Sequence, residues 1–377
     1  MDPKAIFSRV EKKVGWMRDT LRELVQQESP SEDRQAVNAA MALAEHWARE
    51  QGARTKHHKQ RAFGDVLELR FGPARSKQKP VLLLGHLDTV WPIGTLNKMP
   101  WREAGGRYWG PGVLDMKAGV VMALTALSTL REIKLSRPVT LLLNSDEEIG
   151  SPISRAITEK LALESAAVLV LEPAQGLAYK TARKGVGHYH VEVTGVGAHS
   201  GVDFERGHSA VLELAKLIQT ISGFTNLARK LTVNCGVIAG GTRSNVVASQ
   251  AWTEVDVRIA KASDAAYVEK LFRGLKVSDP HCKLAITGGI NRPPMERKPG
   301  TIALFKKARS LAAELGFVLE EAATGGGSDG NFTAALGVPT LDGMGAVGDG
   351  AHAAHESVVI EHLVPRAALL AAMIASV

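Results

Sequence analysis

Pro80-Val81-Leu82-Leu83-Leu84-Gly85-His86-Leu87-Asp88 is an apolar run that stops at a histidine and an acid. A continuous apolar run of this length suits a strand buried on both faces of a sheet. Two similar runs follow, Pro138-Val-Thr-Leu-Leu-Leu143 and Ala167-Val-Leu-Val-Leu171, and a helical stretch from Met116 to about Ile133 separates the first two. This alternation predicts an α/β fold with a mainly parallel sheet flanked by helices. Towards the N-terminus, the first 75 residues read as helix, helix, strand. Residues 32–51 carry Val37, Met41, Ala44 and Trp47 at helical spacing, with Ser31 as the expected N-cap and Gly52 as the stop.

Towards the C-terminus the texture changes near residue 178. His188–Val196 alternates like a half-exposed strand. Then come a helix at 209–221, strands at 231–238 and 250–259, a helix at 264–275 and a short strand at 283–287. The order β-α-β-β-α-β is ferredoxin-like. After Pro293-Pro294 the α/β texture returns, with helices at 303–315 and near 360–376. The expected organisation is one domain formed by residues 1–177 and 289–377, interrupted by an inserted α+β domain at 178–288.

The 377 residues are 45% hydrophobic and 23% charged, values of an ordinary globular chain. No apolar stretch reads as long enough for a membrane span, and the N-terminus lacks the apolar core of a signal peptide, so a cytoplasmic location without a membrane partner is expected. The net charge of +7 raises the question of nucleic acid. The basic residues are scattered, however, and the densest group, Lys56-His57-His58-Lys59-Gln60-Arg61, has no nucleic-acid-binding signature around it. Anionic small substrates fit the charge better than nucleic acid does. Cys235 and Cys282 sit in apolar or strand-like runs and read as buried free thiols.

Acids and histidines gather where the apolar runs stop: Gly85-His86-Leu87-Asp88, Asn144-Ser145-Asp146-Glu147-Glu148 and Glu172-Pro173, with Asp115 opening the helix after Gly110-Pro-Gly-Val-Leu114. Ligands of open α/β sheets bind beyond the carboxyl ends of the strands. Those ends therefore deliver His86, Asp88, Asp115, Glu147, Glu148 and Glu172 to one crevice, which His352 of Gly348-Asp-Gly-Ala-His352 could close. So many carboxylates in one cleft need cations. Imidazole with carboxylate suits zinc, cobalt or manganese, and two histidines with three carboxylates suffice for two ions if one carboxylate bridges. His86 and Asp88 share a strand face, so Asp88 can hold the second nitrogen of His86. Of Glu147 and Glu148, one can bind metal while the other takes the proton of water.

These motifs resemble the zinc-dependent exopeptidases related to glutamate carboxypeptidase, aminoacylase and the acetylornithine or succinyl-diaminopimelate deacylases, with the glutamate carboxypeptidase branch most similar. The resemblance rests on Gly85-His-Leu-Asp-Thr-Val90, Gly110-Pro-Gly-Val-Leu-Asp-Met-Lys-Ala-Gly119, Asp146-Glu-Glu-Ile-Gly150, Leu171-Glu-Pro173, Gly197-Ala-His-Ser-Gly201 and His352-x-x-x-Glu356, and covers nearly the whole chain. It implies two zinc ions bridged by Asp115, one completed by His86 and Glu172, the other by Glu148 and His352. It implies Glu147 as general base and then general acid, and Asp88 as the residue orienting His86. The inserted domain would be a lid and dimerisation domain. His199 would stabilise the oxyanion from the partner subunit of a homodimer, Asn245 and Arg258 would contact the substrate's carboxylate, and Gly326 and Gly327 would line the substrate loop. The family spacing to Glu356 selects His352 over His355.

The expected activity is hydrolysis of an amide bond in a small molecule or short peptide, releasing a C-terminal amino acid with a free carboxylate, glutamate-like. N-acyl-amino-acid deacylation, short-peptide aminopeptidase activity and a non-catalytic metal-binding relative are the alternatives. Gly195-Val-Gly197 lacks dinucleotide-loop spacing, and Gly325-Gly-Gly-Ser-Asp-Gly330 lacks the Gly-Lys of a phosphate loop. His188 and His190, at i and i+2, read as an ordinary exposed strand face rather than a metal site. His57, His58, His281 and His362 read as surface residues.

Overall fold

The computed structural model describes residues 2–134 and 137–377. The chain forms two compact units: residues 1–182, 297–323 and 328–377, and residues 183–296 with 324–327. The insert therefore begins at 183 rather than 178, because Lys180 exchanges backbone hydrogen bonds with Asp342 of the first unit. It ends at 296 rather than 288, because its last strand runs to Arg292.

The first unit opens with α1 (Pro3–Glu11), α2 (Val14–Gln26) and α3 (Arg34–Glu50), then β1 (Arg54–His58) and β2 (Val66–Phe71). The N-terminal 75 residues thus hold three helices and two strands, one of each beyond the expectation. Asp33, not Ser31, caps α3, accepting from Gln35 N and Ala36 N at 3.0 Å each. β3 (Val81–His86), α4 (Ala118–Glu132), β4 (Val139–Asn144), α5 (Arg155–Glu164) and β5 (Ala167–Val170) follow.

The second unit contains β6 (Gly185–Thr194), α6 (Ala210–Ser222), β7 (Thr232–Gly240), β8 (Gln250–Ile259), α7 (Ser263–Arg273) and β9 (Lys283–Arg292). The chain then returns through α8 (Pro299–Glu314), the two-residue strand β10 (Thr340–Leu341) and α9 (Leu363–Ser376).

The central sheet runs β1-β2-β4-β3-β5-β10. Strands β4, β3, β5 and β10 are parallel, and β2 joins β4 antiparallel. The three apolar runs are fully buried because consecutive side chains enter different cores. Val81, Leu83, Leu141, Leu143 and Leu169 pack in one cluster with α4 and α9. Leu82, Leu84, Leu142, Val168 and Val170 pack in the other with Leu161 and Ala162 of α5. By length and composition Val113–Glu132 is apolar enough to cross a membrane, contrary to the reading of the sequence, but 89% of that window is buried inside the protein. It is the central core helix, apolar all round because it is covered all round.

In the second unit the antiparallel sheet runs β7-β8-β6-β9. Tyr189, Val191, Val193, Val255 and Val257 face Leu214, Leu217, Val268 and Phe272 of α6 and α7 in a separate core. The opposite face carries His188, His190 and Glu254. The face is exposed as expected, but it is not free of carboxylates: Glu254, brought across from β8 by strand pairing, lies 2.7 Å from His188 Nε2 and 2.6 Å from His190 Nδ1. His57 and His58 are likewise paired, with Glu45 at 2.9 Å and the buried Glu68 at 2.8 Å. Lys59 meets Asp65 at 2.7 Å, so the densest basic stretch is matched by acids. Both cysteines are free thiols; Cys282 is buried and Cys235 partly so.

Candidate metal centre

Because β4, β3 and β5 are parallel, their carboxyl ends open on one rim. β3 ends in the buried His86, β4 leads into the turn carrying Glu147 and Glu148, and β5 leads into Glu172. Asp115 enters the same place from an irregular turn at Val113–Lys117, where it adopts φ −112° and ψ 95°. That turn depends on close approach. A Cβ on Gly112, which has φ +69°, would lie 2.7 Å from Thr89 Cγ2, and one on Gly119 would collide with the Leu171 carbonyl. The Asp115–Met116 peptide is cis.

Asp115 sits between the two histidines. Its Oδ1 is 3.3 Å from His86 Nε2 and its Oδ2 is 3.3 Å from His352 Nε2. Glu172 Oε1 lies 3.6 Å from His86 Nε2, and Glu148 Oε2 lies 3.2 Å from His352 Nε2. His352 reaches this position with φ +62°, a left-handed conformation uncommon outside glycine. Donor atoms of His86, Asp115 and Glu148 lie within 4.8 Å of one another, as do those of His86, Glu147 and Glu172.

Electrostatics identify what the cluster lacks. Burial works against charge on His86, yet the Asp115, Asp88 and Glu172 carboxylates outweigh it and hold its pKa well above the usual value. Asp115 and Glu148 raise His352 to about 10. Burial, together with repulsion from Asp115, pushes Glu148 up to about 7. The site therefore draws positive charge onto both imidazoles, while His86 Nε2, Asp115 Oδ1 and Glu148 Oε1 are buried without a hydrogen bond. Orphaned nitrogen and oxygen donors around one point fit a divalent cation of the zinc type.

The part taken by Asp88 differs from expectation. The atom nearest His86 Nδ1 is the Asp88 carbonyl oxygen, at 3.0 Å, with the Asp88 carboxylate at 3.4 Å. That carboxylate accepts from Ser31 Oγ at 2.8 Å, Glu148 N at 3.1 Å and Glu147 N at 3.2 Å. Asp88 thus orients the imidazole mainly through its backbone and fixes the Glu147-Glu148 turn with its side chain. The position of Ser31 before an apolar-periodic stretch imitates an N-cap, which hides this part from the sequence.

Further supports have donors that no local pattern indicates. Buried Asp329 accepts from Asn144 Nδ2 at 2.6 Å and from Ser151 Oγ, bracketing the turn after β4. Glu356 accepts the N–H groups of Gly112, Leu114 and Asp115 at 2.8, 2.8 and 3.0 Å. Lys117, buried at the start of α4, donates to the Gln27 carbonyl at 2.8 Å, and burial lowers its pKa to about 7.

The remaining expected site residues belong to the second unit. Ser200 N donates to the Asn245 carbonyl at 3.0 Å, and His199 bridges Val246, so His199 and Asn245 are neighbours. Arg258 Nη1 is 3.4 Å from the Gly325 carbonyl, and Arg183 Nη1 donates to the Gly326 and Gly327 carbonyls at 3.2 and 3.0 Å. Asp256 already engages Arg258, taking Nε at 2.9 Å and Nη2 at 2.8 Å. The substrate fork expected from the sequence is thus partly satisfied from within its own strand.

Known proteins are similar to this chain in sequence and in fold. Residues 82–376 match the profile of peptidase family M20/M25/M40. Carboxypeptidase G2 of Pseudomonas sp. (strain RS-16) is 32% identical over 303 residues, 78% of this chain and 72% of that protein. Among solved structures, aminopeptidase PepT from Bacillus cereus ATCC 10987 superposes with a TM-score of 0.78 at 20% identity, covering 98% of both chains. An M20 family metallo-carboxypeptidase, Sso-CP2 from Sulfolobus solfataricus, gives 0.76 at 18% identity, covering 95% of this chain and 98% of that one. At such identities the structural likeness speaks for the fold alone, whereas the profile and the sequence relative speak for descent. With a rim of histidines and carboxylates at the ends of its parallel strands, the chain belongs to peptidase family M20/M25/M40 and is a metal-dependent peptide hydrolase.

Proposed function

We propose that this protein is a dinuclear metallohydrolase that cleaves an amide bond and releases a C-terminal amino acid, glutamate-like, from a small molecule or short peptide. The observation that carries the reading is the placement of Asp115, one carboxylate oxygen facing His86 and the other facing His352. His86 and Glu172 would hold one ion, His352 and Glu148 the other, and Asp115 both. Zinc suits the donors, and cobalt or manganese could replace it. When bound, the ions supply an acidified water and polarise the scissile carbonyl.

Glu147, on the turn that Asp88 fixes, accepts the proton from that water and returns it to the leaving amine. His199 donates to the developing oxyanion, from the partner subunit of a homodimer in which residues 183–296 serve as lid and dimerisation domain. Arg258, with Asn245, receives the carboxylate of the leaving residue, and Gly326 and Gly327 line the substrate loop. The similarity to carboxypeptidase G2 supports release of the C-terminal residue over aminopeptidase action.

The test is a panel of peptidyl and N-acyl amino acids given to zinc-reconstituted protein, with a chelator control. Chelator-sensitive release of C-terminal glutamate supports the reading. Release only from the N-terminal side, or no turnover on any member with two metals bound, overturns it.

A further inference from the structure

Glu356 takes no part in the mechanism above, yet it is 1% exposed and accepts four hydrogen bonds. Its Oε2 takes Trp91 Nε1 and Gly112 N at 2.8 Å each, and its Oε1 takes Leu114 N at 2.8 Å and Asp115 N at 3.0 Å. These donors lie 241 to 265 residues away in sequence. Backbone N–H groups at the start of a helix have no partner within it, and a carboxylate is their natural complement. Glu356 supplies that complement to the turn ahead of α4 from the far end of the chain. The segments it joins are those of the metal centre. Trp91 lies three residues after Asp88, the turn carries Asp115, and His352 precedes Glu356 by four residues.

We propose that Glu356 is a positioning residue for the metal centre, tying the turn that bears Asp115 to the segment that bears His352. The two oxygens of Asp115 face His86 and His352 together because this one carboxylate sets both sides. The left-handed backbone of His352 is held in the same way, since a strained residue persists only where its surroundings over-determine it. The proposal rests on the dinuclear reading of the site.

Glutamine is the discriminating substitution. It keeps the shape but offers one acceptor oxygen, so two of the four N–H groups would face an amide that also donates. Metal-stripped wild type, Glu356→Gln and Trp91→Phe are titrated with Zn2+ against a competing chelator and with Co2+ by visible absorption. Wild type should take two equivalents. In Glu356→Gln at least one equivalent should bind about 10- to 100-fold more weakly, with an altered Co2+ spectrum. Trp91→Phe, which removes one of the four donors, should show a smaller loss.

Amide hydrogen exchange over residues 110–116 of the metal-free wild type tests the tie without any variant, and so survives a failure of Glu356→Gln to fold. Protection supports it; exchange at the rate of a free loop overturns it. Two equivalents in wild type with unchanged affinities in a folded Glu356→Gln would also sink the positioning role and leave the dinuclear reading intact. Fewer than two equivalents in wild type would sink that reading, with the exchange data still judging the tie.

Discussion

Two of the histidine–carboxylate clusters in this protein, one in each unit, differ in burial and in charge balance, the properties that matter most for holding a cation. At the rim of the parallel sheet, Asp115, Glu148 and Glu172 surround His86 and His352 at nitrogen–oxygen separations of 3.2 to 3.6 Å, and buried donor atoms are left without hydrogen bonds. On the sheet of the second unit, Glu254 serves both His188 and His190 at 2.7 and 2.6 Å, with Glu192 4.0 Å from His190, on a face where His188 is 64% exposed. The first cluster has more negative charge than its imidazoles can neutralise and room between its donors. The second is an ion-paired surface in direct contact. Histidine spacing along the chain is i, i+2 in the second and scattered in the first, so spacing misleads; burial and carboxylate excess decide.

The sharpest break between the clusters should come at Glu147, which belongs to the first but is not assigned as a ligand. Glu147→Ala should retain both metals while kcat falls by about 10²- to 10⁴-fold, the usual contribution of a general base. Metal analysis beside steady-state kinetics checks this, and metal loss equal to that of Glu148→Ala would mean the two roles are exchanged.

The comparison itself is tested by removing one histidine from each cluster. His352→Ala should weaken metal binding by on the order of tenfold or more and shrink the chelator-induced drop in melting temperature, since an ion stabilises only as far as it binds the folded state. His188→Ala should leave metal content and that drop unchanged. Equal metal loss in the two variants would mean that the clusters do not differ in holding a cation.

A smaller effect is expected at Arg258. Arg258→Ala should lower kcat/KM on the order of tenfold for substrates with a free C-terminal carboxylate and little for the amidated forms, the value of one charged hydrogen-bonding contact. Because Asp256 competes for the guanidinium, Asp256→Asn should lower KM for the same substrates. Equal effects on free and amidated substrates would remove the carboxylate role.

The smallest effect belongs to the exposed cluster. Burial pushes the Glu254 carboxyl up, but hydrogen bonds from His190 and His188 outweigh it and leave its pKa below the ordinary value. A depressed carboxylate stabilises the fold above its unfolded pKa and loses that contribution as pH falls through its folded pKa. Glu254→Gln should therefore be less stable than wild type near neutrality by no more than ~1 kcal/mol, as for other exposed pairs, and the gap should close below about pH 4. Melting curves over pH 3 to 7 read this directly, and a gap that widens on acidification would contradict the assignment.

Much of the architecture was present in the amino-acid sequence alone. The runs at 80–84, 138–143 and 167–171 are strands because uninterrupted apolar residues of that length can be buried only with both faces covered. Parallel strands must then end together, which places His86, the Glu147-Glu148 pair and Glu172 at one rim. Other features were settled only when distant segments met. Ser31 and Asp88 are 57 residues apart, His190 and Glu254 are 64 apart, and Glu356 and Asp115 are 241 apart. A local pattern gives each of these residues a plausible neighbour close by: a helix for Ser31 to cap, open solvent for His190, a nearby histidine for Glu356. Only the packed chain shows which partner wins, because a buried carboxylate must find its donors wherever the fold has brought them, and neither periodicity nor motif spacing records that distance.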